Sequence, residues 1–229
     1  MGSFVPSMVD LTHVVSPGIP TWDDVCGPFL ETTLERDACP GEVHFLVQDL
    51  RLPAAAGTHL DAPSHAMPEG VCVSDLPLEN LVGPWVLLDI AHRMSPESRL
   101  EPSDIEDFES LHGAIPRGAW VLVRTGWGRY WGDPNAYRNG HRFPSVSEDA
   151  ARVLLERGVV GLGIDTLSPD RPKDGFRVHR LFLGAGKVLL ENVANLDKLP
   201  PTGPRLLVAP MRLEGATESP SRVIAFLQG

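Results

Sequence analysis

The chain predicts an α/β fold in which short strands outnumber helices. Three observations carry that expectation: many apolar runs of strand length, two segments with helix start or stop chemistry, and 22 glycines with 22 prolines that cut 229 residues into short pieces. Length favours a single domain over residues 1–229, because neither a long linker nor an internal repeat interrupts the pattern.

Taken in order, Asp10-Leu-Thr-His13 leads into Ser16–Trp22, where two prolines force a loop that ends on an aromatic. Trp22 either packs on the domain edge or lies over a flat ligand. Glu42–Leu52 alternates, with Val43, Phe45, Val47 and Asp49 on one face, and reads as a strand. A turn at Met67–Gly70 precedes the apolar strand Pro84–Ile90, typical of burial on both faces. Ser103-x-x-Glu106 has the form of a capping box opening a helix through Leu111. Gly118–Gly126 is another buried strand and opens an aromatic segment through Trp131 and Tyr137. Ser147 begins the helix Glu148–Arg157, which Gly158 stops. Strand Val159–Ile164 ends at Asp165, which either caps the following turn or faces a cleft. The later strands are Val188–Leu190, Arg205–Ala209 and Arg222–Leu227.

Composition removes several function classes. Thirty acidic against 20 basic residues give a formal charge of −10 with no Lys/Arg cluster, so nucleic acid is not expected as a partner. No apolar run reaches the ~20 residues of a membrane helix, and Met1–Asp10 lacks the pattern of a secretory signal, which makes a cytoplasmic protein the expectation. Cys26, Cys39 and Cys72 are odd in number and form no C-x-x-C, so they read as reduced thiols.

The chemistry concentrates in Ala55–His65, Ala-Ala-Gly-Thr-His-Leu-Asp-Ala-Pro-Ser-His. In extended chain His59 and Asp61 share a face with His65, while Leu60 and Ala62 take the other. Imidazole and carboxylate together suit Zn or Mn. Straight strand would leave His65 roughly 20 Å from His59, so the segment must bend, and Pro63 supplies a place for it. A solvent-facing loop also carries histidines. An aspartate in phase with them, beside Gly57 and Pro63, favours a metal or catalytic site.

The same stretch resembles the signature of the cyclase family of metal-dependent hydrolases, the kynurenine formamidase and isatin hydrolase type, His-x-Gly-Thr-His-x-Asp-x-Pro-x-His. Gly57, Thr58, His59, Asp61, Pro63 and His65 match; Ala55 stands where the family has a metal-binding His. His179 and Glu191 are unremarkable locally, but they fit the family's later His and Glu in order and spacing. The resemblance extends to Leu81–Pro84, Gly163–Thr166 and Ser219–Arg222, most of the chain.

The resemblance implies a β-rich swivelling β/β/α domain, a homodimer or homotetramer, and a divalent metal, Zn or Mn, held by His59, Asp61, His65, His179 and Glu191. His65, His179 and Glu191 would also serve catalysis, and Trp22 would border the substrate pocket; Asp165, from its place at a strand end, is the second residue expected to meet the substrate. The implied reaction is hydrolysis of an amide, arylformamide, lactam or imide in a small, aromatic molecule. Ala55 leaves three explanations: metal held by the remaining ligands, a His-to-Ala change made to trap substrate, or a pocket turned to metal-independent ring closure or dehydration. A non-catalytic small-molecule binding protein is the reading from a different class.

Overall fold

The structure is a computed structural model describing residues 7–23, 27–39 and 41–228. Its strands are β1 (Met8–Asp10), β2 (Phe29–Leu34), β3 (Val47–Arg51), β4 (His59–Asp61), β5 (Val82–Asp89), β6 (Arg99–Leu100), β7 (Trp120–Arg124), β8 (Ser145–Val146), β9 (Gly161–Ile164), β10 (Val188–Glu191), β11 (Thr202–Pro210) and β12 (Glu218–Phe226). Its helices are α1 (Pro102–His112), α2 (Pro134–Arg138), α3 (Glu148–Glu156) and α4 (Arg177–Gly184).

The main sheet runs β1-β12-β11-β5-β7-β9-β10-β4, and β4 pairs back onto β12, closing a barrel that β1 flanks. Strands β5, β7, β9 and β10 are parallel neighbours; β4, β11 and β12 join antiparallel. Alternation sorts the side chains into two cores. Trp85, Leu87, Trp120, Leu122, Leu60, Val188, Leu190 and Val223 pack together inside the barrel. Val86, Leu88, Val121, Val123, Leu162, Ile164 and Leu189 pack outward against Ile105 and Phe108 of α1, Leu154 of α3 and Phe182 of α4. Glycine makes room for the two tryptophans. A Cβ at Gly203 would sit 2.1 Å from the Trp85 ring, and one at Gly161 would sit 2.4 Å from Trp120.

The expected α3 is present: Ser147 accepts the Ala150 amide as N-cap, and Gly158 takes a left-handed φ of 72°. Two expectations need correction. Helix α1 starts at Pro102, not after Ser103; Glu101 is its N-cap, and the Asp104 carboxylate accepts the Glu101 amide at 2.7 Å. Proline at the first helical position has no N–H to satisfy, which favours this earlier start. The strand expected over 42–52 shrinks to Val47–Arg51, and it pairs with β2 in a ribbon outside the barrel. Phe29, Leu30, Val43, Phe45, Val47 and Leu50 on and beside this ribbon are all exposed. Cys39 and Cys72 are free, as expected, and Cys26 lies outside the described residues. Among the described residues no helix is long and apolar enough to cross a membrane.

Candidate metal centre and substrate pocket

Barrel alternation sets up the site. On β4, Leu60 enters the barrel core, so His59 and Asp61 leave by the other face. On β10, Leu190 enters the core, and Glu191 therefore emerges beside them, with Glu191 directly opposite His59 in the antiparallel register. After β4 the chain bends as required. Pro63–His65 forms a 3-10 turn in which the His65 amide donates to the Ala62 carbonyl at 2.9 Å. Helix α4 covers this face and contributes His179.

The four inner groups converge. His59 Nε2 lies 3.5 Å from Asp61 Oδ1 and 3.3 Å from Glu191 Oε2. His179 Nε2 lies 3.6 Å from Asp61 Oδ2 and 3.5 Å from Glu191 Oε1. Each ring is oriented through its other nitrogen. His59 Nδ1 meets the Gly57 carbonyl at 2.9 Å, and His179 Nδ1 meets Asp170 Oδ2 at 2.8 Å. Asp170 is itself fixed by accepting the backbone amides of Val178 and His179. His65 stands at the rim, its Nδ1 at 2.9 Å from Glu218 Oε1.

Electrostatics follow from burial against charge. Burial pulls His59 down, yet the Glu191 hydrogen bond and the Asp61 charge override it and carry the ring to about 9. Burial likewise opposes His179, and Asp170, Asp61 and Glu191 carry it to about 10. Burial and the adjacent Asp61 charge push Glu191 up, while the surrounding imidazoles outweigh burial at Asp61 and hold it down.

These residues suit a divalent cation. His59–Asp61–Glu191 and Asp61–His65–His179 form two triads that share Asp61, each with its ligand atoms within 4.8 Å of one another. Both Asp61 oxygens and Glu191 Oε1 are buried with no hydrogen-bond partner. An orphaned buried acceptor costs about 1–3 kcal/mol, more when charged, and a bound cation removes that cost. Mixed imidazole and carboxylate donors match Zn or Mn.

A cleft of about 340 Å³ opens over the cluster, lined by Trp22, Ala55, Leu167, Ser168, Phe176, Asn192 and Glu218 with His59, His65, His179 and Glu191. Trp22 stacks on His141 at 4.2 Å and stands 6.0 Å from Phe176, giving the cleft an aromatic wall. Ala55 lies in a turn closed by the Ala56 amide on the Pro53 carbonyl at 3.1 Å, and Gly57 at φ 68° interrupts the extended run. Position 55 therefore lies outside the alternation of β4. The residue reaches the site through the turn.

The structure brings His59, Asp61, His65, His179 and Glu191 together beneath a cleft that Trp22 borders. Asp165 does not join them. It is buried, accepts the Thr125 hydroxyl at 2.6 Å and the Thr125 and Gly126 amides at 2.9 Å each, and borders a different cleft with His13, Arg124 and Arg129. Asp170, Phe176, His141 and Glu218 were not anticipated. Only Glu218 had a nearby signal, as the residue just before the Ser219–Arg222 segment.

A closed barrel carries a buried imidazole–carboxylate cluster of candidate metal ligands beneath an aromatic cleft. A family model described as "Cyclase" matches residues 9–171, and the chain belongs to the cyclase family. It is 34% identical over 188 residues to isatin hydrolase of Roseibium aggregatum, covering 75% of this chain and 71% of that protein. It is 27% identical over 227 residues to kynurenine formamidase of Salinibacter ruber, covering 95% and 96%. Among solved structures, an isatin hydrolase bound to the product analogue thioisatinate superposes with a TM-score of 0.88 at 28% identity, covering 97% of this chain and 92% of that one. A structure described as a potential metal-dependent hydrolase with cyclase activity matches with a TM-score of 0.77 at 27% identity, covering 98% and 100%. The relatives are named as a hydrolase and a formamidase, and the site residues of this chain include candidate metal ligands.

Proposed function

We propose that this chain is a metal-dependent hydrolase that breaks a C–N bond of an amide, arylformamide or cyclic amide in a small aromatic molecule. The observation that carries the reading is the set of orphaned oxygens on Asp61 and Glu191 among His59, His65 and His179, beneath the cleft that Trp22 and Phe176 wall. A bound Zn or Mn supplies a Lewis acid for the carbonyl and lowers the pKa of water from 15.7 towards about 7. The chain's own residues do the rest. Asp61, His59, His179 and Glu191 hold the ion, and Trp22 and Phe176 offer flat faces to an aromatic substrate. Water adds its oxygen to the carbonyl carbon, the C–N bond breaks, and the nitrogen leaves with a proton. His65, partly exposed at the rim, is placed to move that proton, and an imidazole is suited to it.

The reading includes a second copy of the chain. The β2–β3 ribbon exposes apolar side chains on both faces, and an isolated two-stranded ribbon is marginal in water. Covering it in a homodimer or homotetramer buries that surface. Light scattering on the purified protein tests this, and a monomer at micromolar concentration overturns it.

Metal analysis with assays on isatin and on formylated kynurenine tests the activity. Stoichiometric Zn or Mn with hydrolysis supports the proposal, and full turnover by metal-stripped protein overturns it. Ala55 favours one second reading, a ring closure or dehydration run by His59, Asp61, His65 and Glu191 as acids and bases, which metal-stripped turnover would reveal.

A further inference from the structure

We infer that Glu218 is a positioning residue that holds the His65 ring with its proton on Nδ1 and its Nε2 lone pair free for proton transfer. The inference rests on the hydrolase reading for its kinetic arm, and on geometry alone for the rest.

The barrel closure puts Glu218 there. In the β12–β4 pairing Glu218 stands directly opposite Asp61, so both side chains leave the same face, while their neighbours Ser219 and Leu60, also opposite each other, turn into the core. Asp61 points at the metal cluster, and His65 follows it by one tight turn. Glu218 thereby meets His65 from the opposite side of the cleft mouth, at 2.9 Å.

The two imidazoles that meet Asp61 in the second triad are held differently. The His179 ring is buried, and its carboxylate partner Asp170 is also fastened by two backbone amides. That arrangement suits an immobile ligand. His65 has a fixed backbone, through its amide on the Ala62 carbonyl, but its side chain is 33% exposed. The ring stands 5.9 Å from that of His179, and among the described residues its one ion-pair partner is Glu218, at 2.9 Å. Glu218 in turn belongs to neither metal triad and has no other side-chain partner among the described residues. Its chemistry is to accept an imidazole N–H, which leaves the second nitrogen as the basic one.

Histidine ring ¹⁵N spectra of the full chain, at a pH where His65 is neutral and with its signals assigned by loss in His65→Asn, read the tautomer directly. The wild type and Glu218→Gln, which retains an acceptor oxygen, are expected to show the Nδ1–H form. Glu218→Ala is expected to shift towards Nε2–H. With metal content and melting temperature unchanged, Glu218→Ala should lower kcat at least tenfold with KM within twofold, and Glu218→Gln should recover most of the loss. Should Glu218→Ala fail to fold, Glu218→Leu removes the acceptor at similar bulk. An unchanged tautomer in the variant lacking the acceptor overturns the inference, as does a loss confined to KM. If the wild type hydrolyses neither isatin nor formylated kynurenine, the functional reading fails, and the tautomer still decides the role of Glu218.

Discussion

Glu191 and His59 face each other across the β10–β4 pair, and their side chains meet at 3.3 Å on the outside of the barrel. The contact joins a residue of the local signature to one that lies far along the chain, so the cluster depends on both. Replacing Glu191 with Gln keeps the shape but removes the charge. Metal affinity, measured by competition with a chelator, is expected to fall at least ~100-fold, since even partners outside the ligand set are worth 10–100-fold.

The raised imidazoles give a signed pH dependence. His59 at about 9 and His179 at about 10 both exceed the ordinary 6.5, so their carboxylate contacts stabilise the metal-free fold fully below pH 6.5. That contribution disappears as pH climbs through 9 and 10. Metal binding runs the other way, because each ring must shed its proton first. The melting temperature of chelator-treated protein is expected to fall from pH 7 to 10 while the increment added by Zn or Mn grows. A metal increment that shrinks over that range would contradict the assignment.

Ala55 lines the cleft beside His59. Ala55→His places a further imidazole there and is expected to tighten metal binding by at least ~10-fold. Calorimetric titration with Zn decides it, and an unchanged affinity means that this position no longer addresses the ion.

Gly203 lies opposite Trp85 on the next strand, where a Cβ would meet the indole at 2.1 Å. Gly203→Ala is expected to cost ~1–3 kcal/mol, the usual range for overpacking a core. Urea unfolding measures it, and a midpoint equal to wild type would mean that Trp85 can move aside.

Much of this was legible in the sequence, for identifiable reasons. Residues 120–123 of β7 and 85–88 of β5 are buried on both faces, and continuous apolar runs announce that. His59, Asp61 and His65 sit within one local motif. The ribbon was misjudged because alternation at Val43, Phe45 and Val47 reveals which residues share a face but not what covers it. His179 and Glu191 were reachable only through family resemblance, since helix α4 and strand β10 meet β4 by tertiary packing. Glu218 and Asp170 were out of reach, because acidic residues are common and only the barrel register and the start of α4 single these two out. Asp165 shows the converse. Its place at a strand end suggested a cleft, and it does border one, but not the one over the imidazole–carboxylate cluster, and three donors from Thr125 and Gly126 occupy its carboxylate.

The short strand β4 has neighbours on both sides, β10 and β12, and is further laced by Thr58 Oγ1 donating to the Asn192 carbonyl at 2.6 Å and Asn192 Nδ2 donating to the Gly57 carbonyl at 2.9 Å. The strand that seals the barrel is therefore also the strand that carries His59 and Asp61, the first two candidate ligands in the chain. Closure is a long-range event, uniting residues 57–61 with residues 189–192 and 218–220. A chain that has not closed its barrel has no assembled cluster, so on the proposed reading metal uptake would double as a readout of completed folding.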